Sequence, residues 1–205
     1  MRGLYAITDT GLQPDDRLAE RVAQAIDGGA VLIQYRDKSA DAGRRLARAA
    51  ELAALCDRRG VPLIVNDDVE LAAASGAAGV HLGRDDPDPR TARRRLGPHA
   101  LIGVSCYNEW PRALAAAEAG ADYVAFGRFF PSRTKPGAVR AELDLLRRAK
   151  RESGLCVAAI GGITPANGPA LVEAGADLLA VVHGVFGADD VAKAARGYVE
   201  ACFFE

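Results

Sequence analysis

A dipeptide rhythm constrains this chain more than any other feature. Gly-Ala recurs at Gly29-Ala30, Gly76-Ala77, Gly120-Ala121 and Gly175-Ala176, each time ahead of a short apolar run. Glycine suits the end of a helix, where the chain turns back in a left-handed conformation. The interval is roughly 45–55 residues, long enough for two strand-helix units. The repeated element is therefore a βαβα pair, and four copies give eight units.

The runs between the repeats agree with that count. Strands are expected at 4–8, 31–36, 62–66, 79–83, 101–105, 123–127, 156–161 and 178–182. Several are apolar at consecutive positions, as parallel strands covered on both faces should be. Amphipathic helices are expected between them. The first carries Leu18, Val22, Ala25 and Ile26 at helical spacing, with Asp15 and Asp16 at its start. The second, over 40–58, repeats the pattern with Leu46, Ala50, Leu52 and Leu55. The rest fall near 68–75, 88–96, 109–119, 139–152, 166–174 and 188–203. No Ser/Gly linker or break in composition divides residues 1–205, so they read as one domain. Eight such units point to a closed (β/α)8 TIM barrel with short loops. An open doubly wound sheet is the alternative.

Charge narrows the class of partner. The net charge is -1, whereas a general polyanion binder needs a broad basic excess, so nucleic acid is not an expected partner. No apolar run is long enough to span a membrane, and MRGLYAITDT turns polar too early for a signal peptide. Cys56, Cys106, Cys156 and Cys202 are far apart and surrounded by apolar residues, which suits buried thiols in a reducing cytoplasm.

In a barrel of this kind the chemistry lies where strands run out into loops at the C-terminal face. The second run ends in Gln34, Arg36 and Lys38, which alternate onto one side if the chain stays extended. The third ends in Asn66, Asp67 and Asp68. GRDD, with Asp85 and Asp86, follows the fourth, and the fifth ends at Ser105. Ser132, Thr134 and Lys135 follow the sixth. Polar groups thus recur at the one rim where the fold does chemistry, and the donors of the second strand imply an anionic ligand above the barrel.

Asp67 and Asp86 stand at the ends of adjacent strands, close enough to share a divalent ion. Among phosphate-binding cations, carboxylates of this kind suggest Mg2+. Asp68 and Asp85 suit helix N-caps or first turns better. His81, His99 and His183 are isolated in the sequence and read as structural. A second anion site is expected at Gly161-Gly162-Ile163-Thr164-Pro165, where glycines admit close backbone approach. Thr164 there would cap a helix with Pro165 at its first position, and the loop Gly184 to Gly187 would complete the cradle. There is no Ser-His-Asp set and no activated cysteine, so the inventory suits a reaction in which charge leaves on phosphate.

With those residues assembled, the chain resembles the thiamine phosphate synthases. The stretches that carry the resemblance are LYAITD, QYRDK, VNDD, GVHLGRDD, IGVS, FFPSRTK, AIGGIT and AGADLLAVV, in order over nearly the whole chain. The resemblance implies a (β/α)8 barrel that joins a hydroxymethylpyrimidine diphosphate to a thiazole phosphate with Mg2+. It implies that Gln34, Arg36, Lys38, Asn66 and Lys135 contact the pyrimidine diphosphate and that Asp67 and Asp86 hold the metal. It puts Ser105 beside the pyrimidine, and Ser132, Thr134, Gly162, Val182 and His183 near the thiazole phosphate or the departing diphosphate. Arg36, Lys38, Lys135 and Ser105 are the catalytic candidates, small-molecule substrates are the expected partners, and a homodimer is allowed.

The chain departs from the family pattern at Arg128, where proline is common, at Ser132 for threonine, at GRDD for GQED, and at His183, often serine. Three rival readings remain, one of them another phosphate-sugar barrel, such as an epimerase or an aldolase, which would explain the Gly162 cradle but not a second anion site. A thiazole tautomerase would need a proton-shuttling histidine at position 128, where arginine stays protonated. A barrel that binds thiamine precursors without turnover would share the same residues.

Overall fold

In the computed structural model, which describes residues 1–12, 15–131 and 139–204, the eight expected strands are present. They are β1 (Gly3–Ile7), β2 (Ala30–Tyr35), β3 (Leu63–Asn66), β4 (Gly79–Leu82), β5 (Leu101–Tyr107), β6 (Tyr123–Phe126), β7 (Cys156–Ile160) and β8 (Leu178–Val181). All neighbours pair in parallel, and β1 pairs with β8, with Gly3 opposite Leu178 and Ala6 opposite Val181, so the sheet closes. The open doubly wound alternative is thereby removed.

Around the barrel lie α1 (Leu18–Asp27), α2 (Ala42–Arg58), α3 (Val69–Ser75), α4 (Pro89–Leu96), α5 (Trp110–Glu118), α6 (Leu143–Glu152), α7 (Gly168–Glu173), α8 (His183–Phe186) and α9 (Val191–Phe203). The four glycines of the Gly-Ala repeat all adopt positive φ: 95° at Gly29, 73° at Gly76, 81° at Gly120 and 108° at Gly175. Each stands just beyond a helix, where the left-handed conformation reverses the chain. Among the described residues no helix is long and apolar enough to cross a membrane.

Strand alternation sorts the core into two compartments. One set of side chains, including Leu4, Ile33, Val65, Val80, Val124 and Leu179, is buried between the sheet and the helices. The other, including Tyr5, Leu32, Ile64, Tyr123, Ala158 and Leu178, fills the barrel interior. Two glycines make that interior possible. A Cβ on Gly103 would come within 2.0 Å of the Tyr123 ring, and one on Gly79 within 1.8 Å of the Leu101 carbonyl oxygen.

Several local expectations are corrected. In α2 the buried face is Ala49, Leu52, Ala53 and Cys56, while Leu46 is exposed. Small residues let the helix lie close, and Arg45 reaches back to Asp68 at 2.8 Å. The segment before α6 is extended rather than helical, because Arg128 N–H donates to the Val139 carbonyl and Ala141 N–H to that of Arg128. Helix α4 is capped by Asp88, not Asp85: its carboxylate accepts from Arg90 N–H at 2.8 Å. Asp68 caps α3 as expected, accepting from Leu71 N–H at 2.9 Å. Cys56, Cys106 and Cys202 are buried free thiols, and Cys156 is half-buried.

Candidate functional site

The C-terminal ends of the strands enclose a cavity of ≈ 380 Å³. Gln34, Arg36, Asn66, Ser105 and Gly162 line it, together with Val182 and His183 from the end of β8 and the start of α8. Five strand ends thus deliver predicted residues to one space. Ser132, Thr134 and Lys135 lie outside the described residues.

The cationic side begins on β2. Arg36 is fixed twice: its backbone N–H donates to Thr8 Oγ1 at 3.0 Å, and its guanidinium lies 3.0 Å from Asp9 Oδ2. Both partners follow β1, so neighbouring strands hold the arginine at the mouth. Tyr35 and Asp37 take the other side and bond to each other at 3.0 Å, as alternation requires. Lys38 is exposed, yet its charge reaches Asp67, where it favours the ionised carboxylate.

Asp67 follows β3 with φ 66°, in the left-handed region that aspartate tolerates better than most side chains. Its N–H donates to the His81 carbonyl at 2.8 Å, extending the ladder to β4. Burial pushes its carboxyl above the usual carboxylate range, and hydrogen bonding to Asp86 and the charge of Asp86 add to the rise. Asp86 comes from the loop after β4, where its Oδ2 accepts from Gly83 N–H at 2.6 Å. Among the described residues no three His, Cys, Asp or Glu side chains gather as a metal cage. A pair of carboxylates forced together does fit Mg2+, which takes one or two carboxylates and completes its shell with water and phosphate oxygens.

Opposite this pair is the glycine turn after β7. Gly161 and Gly162 have φ of 104° and 64°. A Cβ on Gly162 would sit 2.2 Å from the Pro131 carbonyl oxygen, so the close backbone approach to the loop after β6 requires glycine. Thr164 and Pro165 do not begin the helix. Thr164 N–H donates to Asn167 Oδ1 at 2.8 Å, Asn167 Nδ2 donates to the Gly162 carbonyl at 3.1 Å, and α7 starts at Gly168 with Pro169 in its first turn. The reciprocal Thr164–Asn167 turn holds the glycine loop instead. One side chain braces this loop from behind, and another braces the neighbouring α8 turn. Tyr198 donates to the Ile163 carbonyl at 2.9 Å, and buried Arg21 donates to the carbonyls of Phe186 and Ala188, both at 2.7 Å.

One helix and several residues not foreseen from sequence complete the site. Helix α8, expected as loop, starts at His183 on the cavity wall. Arg112 donates to the carbonyls of Ser105 and Gly83, at 2.6 and 2.8 Å, tying the ends of β4 and β5. Tyr5 and His81 line the cavity floor, and His81 takes part in it rather than serving only as packing. No local signal marks these residues, because each looks like an ordinary strand or helix side chain until the barrel closes.

Comparison with known proteins bears on this arrangement. The sequence model of the family described as thiamine monophosphate synthase matches residues 4–185. The chain is 58% identical over 196 residues to the thiamine-phosphate synthase of Chromobacterium violaceum, covering 96% of this chain and 94% of that protein. It is 54% identical over 198 residues to that of Nitrosococcus oceani, covering 97% and 91%. Among solved structures, the thiamine phosphate pyrophosphorylase from Pyrococcus furiosus superposes with a TM-score of 0.86 at 35% identity, over 97% of this chain and 94% of that one.

Proposed function

This chain belongs to the thiamine monophosphate synthase family, and from that premise we propose how its barrel mouth performs the reaction. The reaction condenses 4-amino-2-methyl-5-hydroxymethylpyrimidine diphosphate with a thiazole phosphate, releasing diphosphate and thiamine phosphate. The observation that carries the assignment of roles is the Asp67–Asp86 pair beside Lys38, with the Asp67 carboxyl held above its usual range.

Asp67 and Asp86 would hold Mg2+. Bound there, the ion supplies positive charge to the oxygens of a leaving diphosphate. Arg36, Lys38 and Lys135 bind the same diphosphate and take up the charge that grows as its C–O bond breaks. Asn66 donates beside them. Gln34 and Ser105 hold the aminopyrimidine, whose electron-rich ring stabilises a benzylic-type cation. The thiazole phosphate lies on the other side, held by the Gly162 backbone, Val182 and His183, and Ser132 and Thr134 bind it or the departing diphosphate. That placement brings the neutral thiazole nitrogen to the cationic carbon. No protein nucleophile is needed, and positioning with charge neutralisation does the work.

Purified protein should release diphosphate only with both substrates and Mg2+ present. Turnover from either substrate alone, or an undiminished rate in excess chelator, would overturn these assignments.

A further inference from the structure

A continuous file of hydrogen bonds crosses the barrel interior beneath the cavity. Gln34 Nε2 donates to the Tyr5 hydroxyl at 2.5 Å. The hydroxyls of Tyr5 and Tyr123 lie 2.8 Å apart. The Tyr123 hydroxyl is 3.0 Å from His81 Nδ1, and His81 Nε2 is 2.8 Å from Ser105 Oγ. The two ends, Gln34 and Ser105, both line the cavity, while the Tyr5 and Tyr123 side chains are buried.

Each hydroxyl has one proton to give, so the direction of one bond sets the next. With Gln34 donating, Tyr5 gives its proton to Tyr123, and Tyr123 gives its own to His81 Nδ1. His81 then carries its proton on Nε2 and donates to Ser105. The Ser105 hydroxyl proton is left for the cavity, and so is the Gln34 carbonyl oxygen. One end therefore offers an acceptor and the other a donor. Burial holds both phenols neutral, so they relay hydrogen-bond direction without absorbing charge. An aminopyrimidine presents the complementary pair, an amino donor and a ring-nitrogen acceptor.

We infer that Tyr5, Tyr123 and His81 are positioning residues that couple Gln34 to Ser105 and fix which end of the pyrimidine site donates and which accepts. This rests on the placement of the pyrimidine proposed above. Reversing the file requires turning the Gln34 amide and moving every proton along it, so the two ends cannot adapt independently.

The test compares two competitive inhibitors, the monophosphates of the 4-amino pyrimidine and of its 4-oxo counterpart, whose donor and acceptor are interchanged. Wild-type protein should prefer the amino compound by at least about tenfold, the scale of one mispaired hydrogen bond. Tyr123→Phe and Tyr5→Phe each cut the file with little change of shape, and should bring that ratio down toward unity. A merely structural role would weaken both inhibitors alike and leave the ratio unchanged, which would overturn the inference. If wild-type protein binds neither compound, or both equally, the pyrimidine placement fails and takes the inference with it. A variant-free measurement stands beside these: side-chain 15N NMR of the wild-type protein should find His81 protonated at Nε2 and bare at Nδ1. The opposite tautomer, or both nitrogens protonated, would overturn it.

Discussion

The carboxyl groups of Asp67 and Asp86 are close enough to raise the Asp67 pKa, although they follow different strands, β3 and β4. Two acids placed this way resist ionising together. In the protein without metal that contact is a source of instability, and it becomes useful only when a cation joins it.

Asp67→Asn should separate these effects. The folded-state pKa of Asp67 is raised, so its stabilising contribution is fully present below the unfolded carboxylate value of about 4 and is lost as pH rises through the folded one. Metal-free wild-type protein therefore loses stability across that window, and the Asn variant loses less. In chelator at pH 7 the variant should melt about 2 °C higher, while its Mg2+-dependent diphosphate release is abolished. Thermal melts and a diphosphate assay on the same samples check both halves.

Arg36→Ala should cost about 2–3 kcal/mol in kcat/KM, the scale of a lost charge-assisted contact to diphosphate. Asp9→Asn leaves the guanidinium in place but removes its carboxylate partner, and should cost less than Arg36→Ala. Steady-state kinetics with the pyrimidine diphosphate as varied substrate decide the matter. A loss below about threefold for Arg36→Ala would take that residue out of the site.

Gly162→Ala puts a methyl group into a left-handed turn already in contact with Pro131. The conformational strain alone is about 1–2 kcal/mol. The KM for the thiazole phosphate should rise more than that for the pyrimidine diphosphate. An equal rise in both would mean that the glycine loop serves the fold at large.

Arg21→Ala removes the donor that holds the carbonyls of Phe186 and Ala188 from behind α8. Leaving buried carbonyls unpaired costs about 1–3 kcal/mol each. The melting temperature should fall by several degrees, and thiazole phosphate binding should weaken with it. Isothermal titration of the variant against the wild type measures the second effect directly.

The strands were legible because parallel strands between two layers need apolar side chains on both faces, and runs such as Leu63–Val65 show little else. The Gly-Ala steps were legible because a left-handed residue after a helix is costly for most other side chains. The rim residues Gln34, Arg36, Asn66, Asp67, Asp86 and Ser105 stood out as polar groups ending apolar runs, and barrel closure brings their strand ends together. Other features had no such mark. Helix α8 has four residues, too few for a helical period to register. Tyr5 and Tyr123 are 118 positions apart, and only the closed barrel makes their hydroxyls neighbours. Asp85 read as the cap because the helix was expected to begin at 88, whereas Pro89 takes the first turn of α4 and Asp88 caps it.

The missing side chain at Gly103 is filled by the ring of Tyr123. These two positions consequently form one heritable unit. A lineage that gains a larger residue at 103 must trim 123 at the same time, and in doing so loses the phenol that links His81 to Tyr5. Drift at a silent-looking glycine on one strand is thereby tied to how the pocket tells one heterocycle from another.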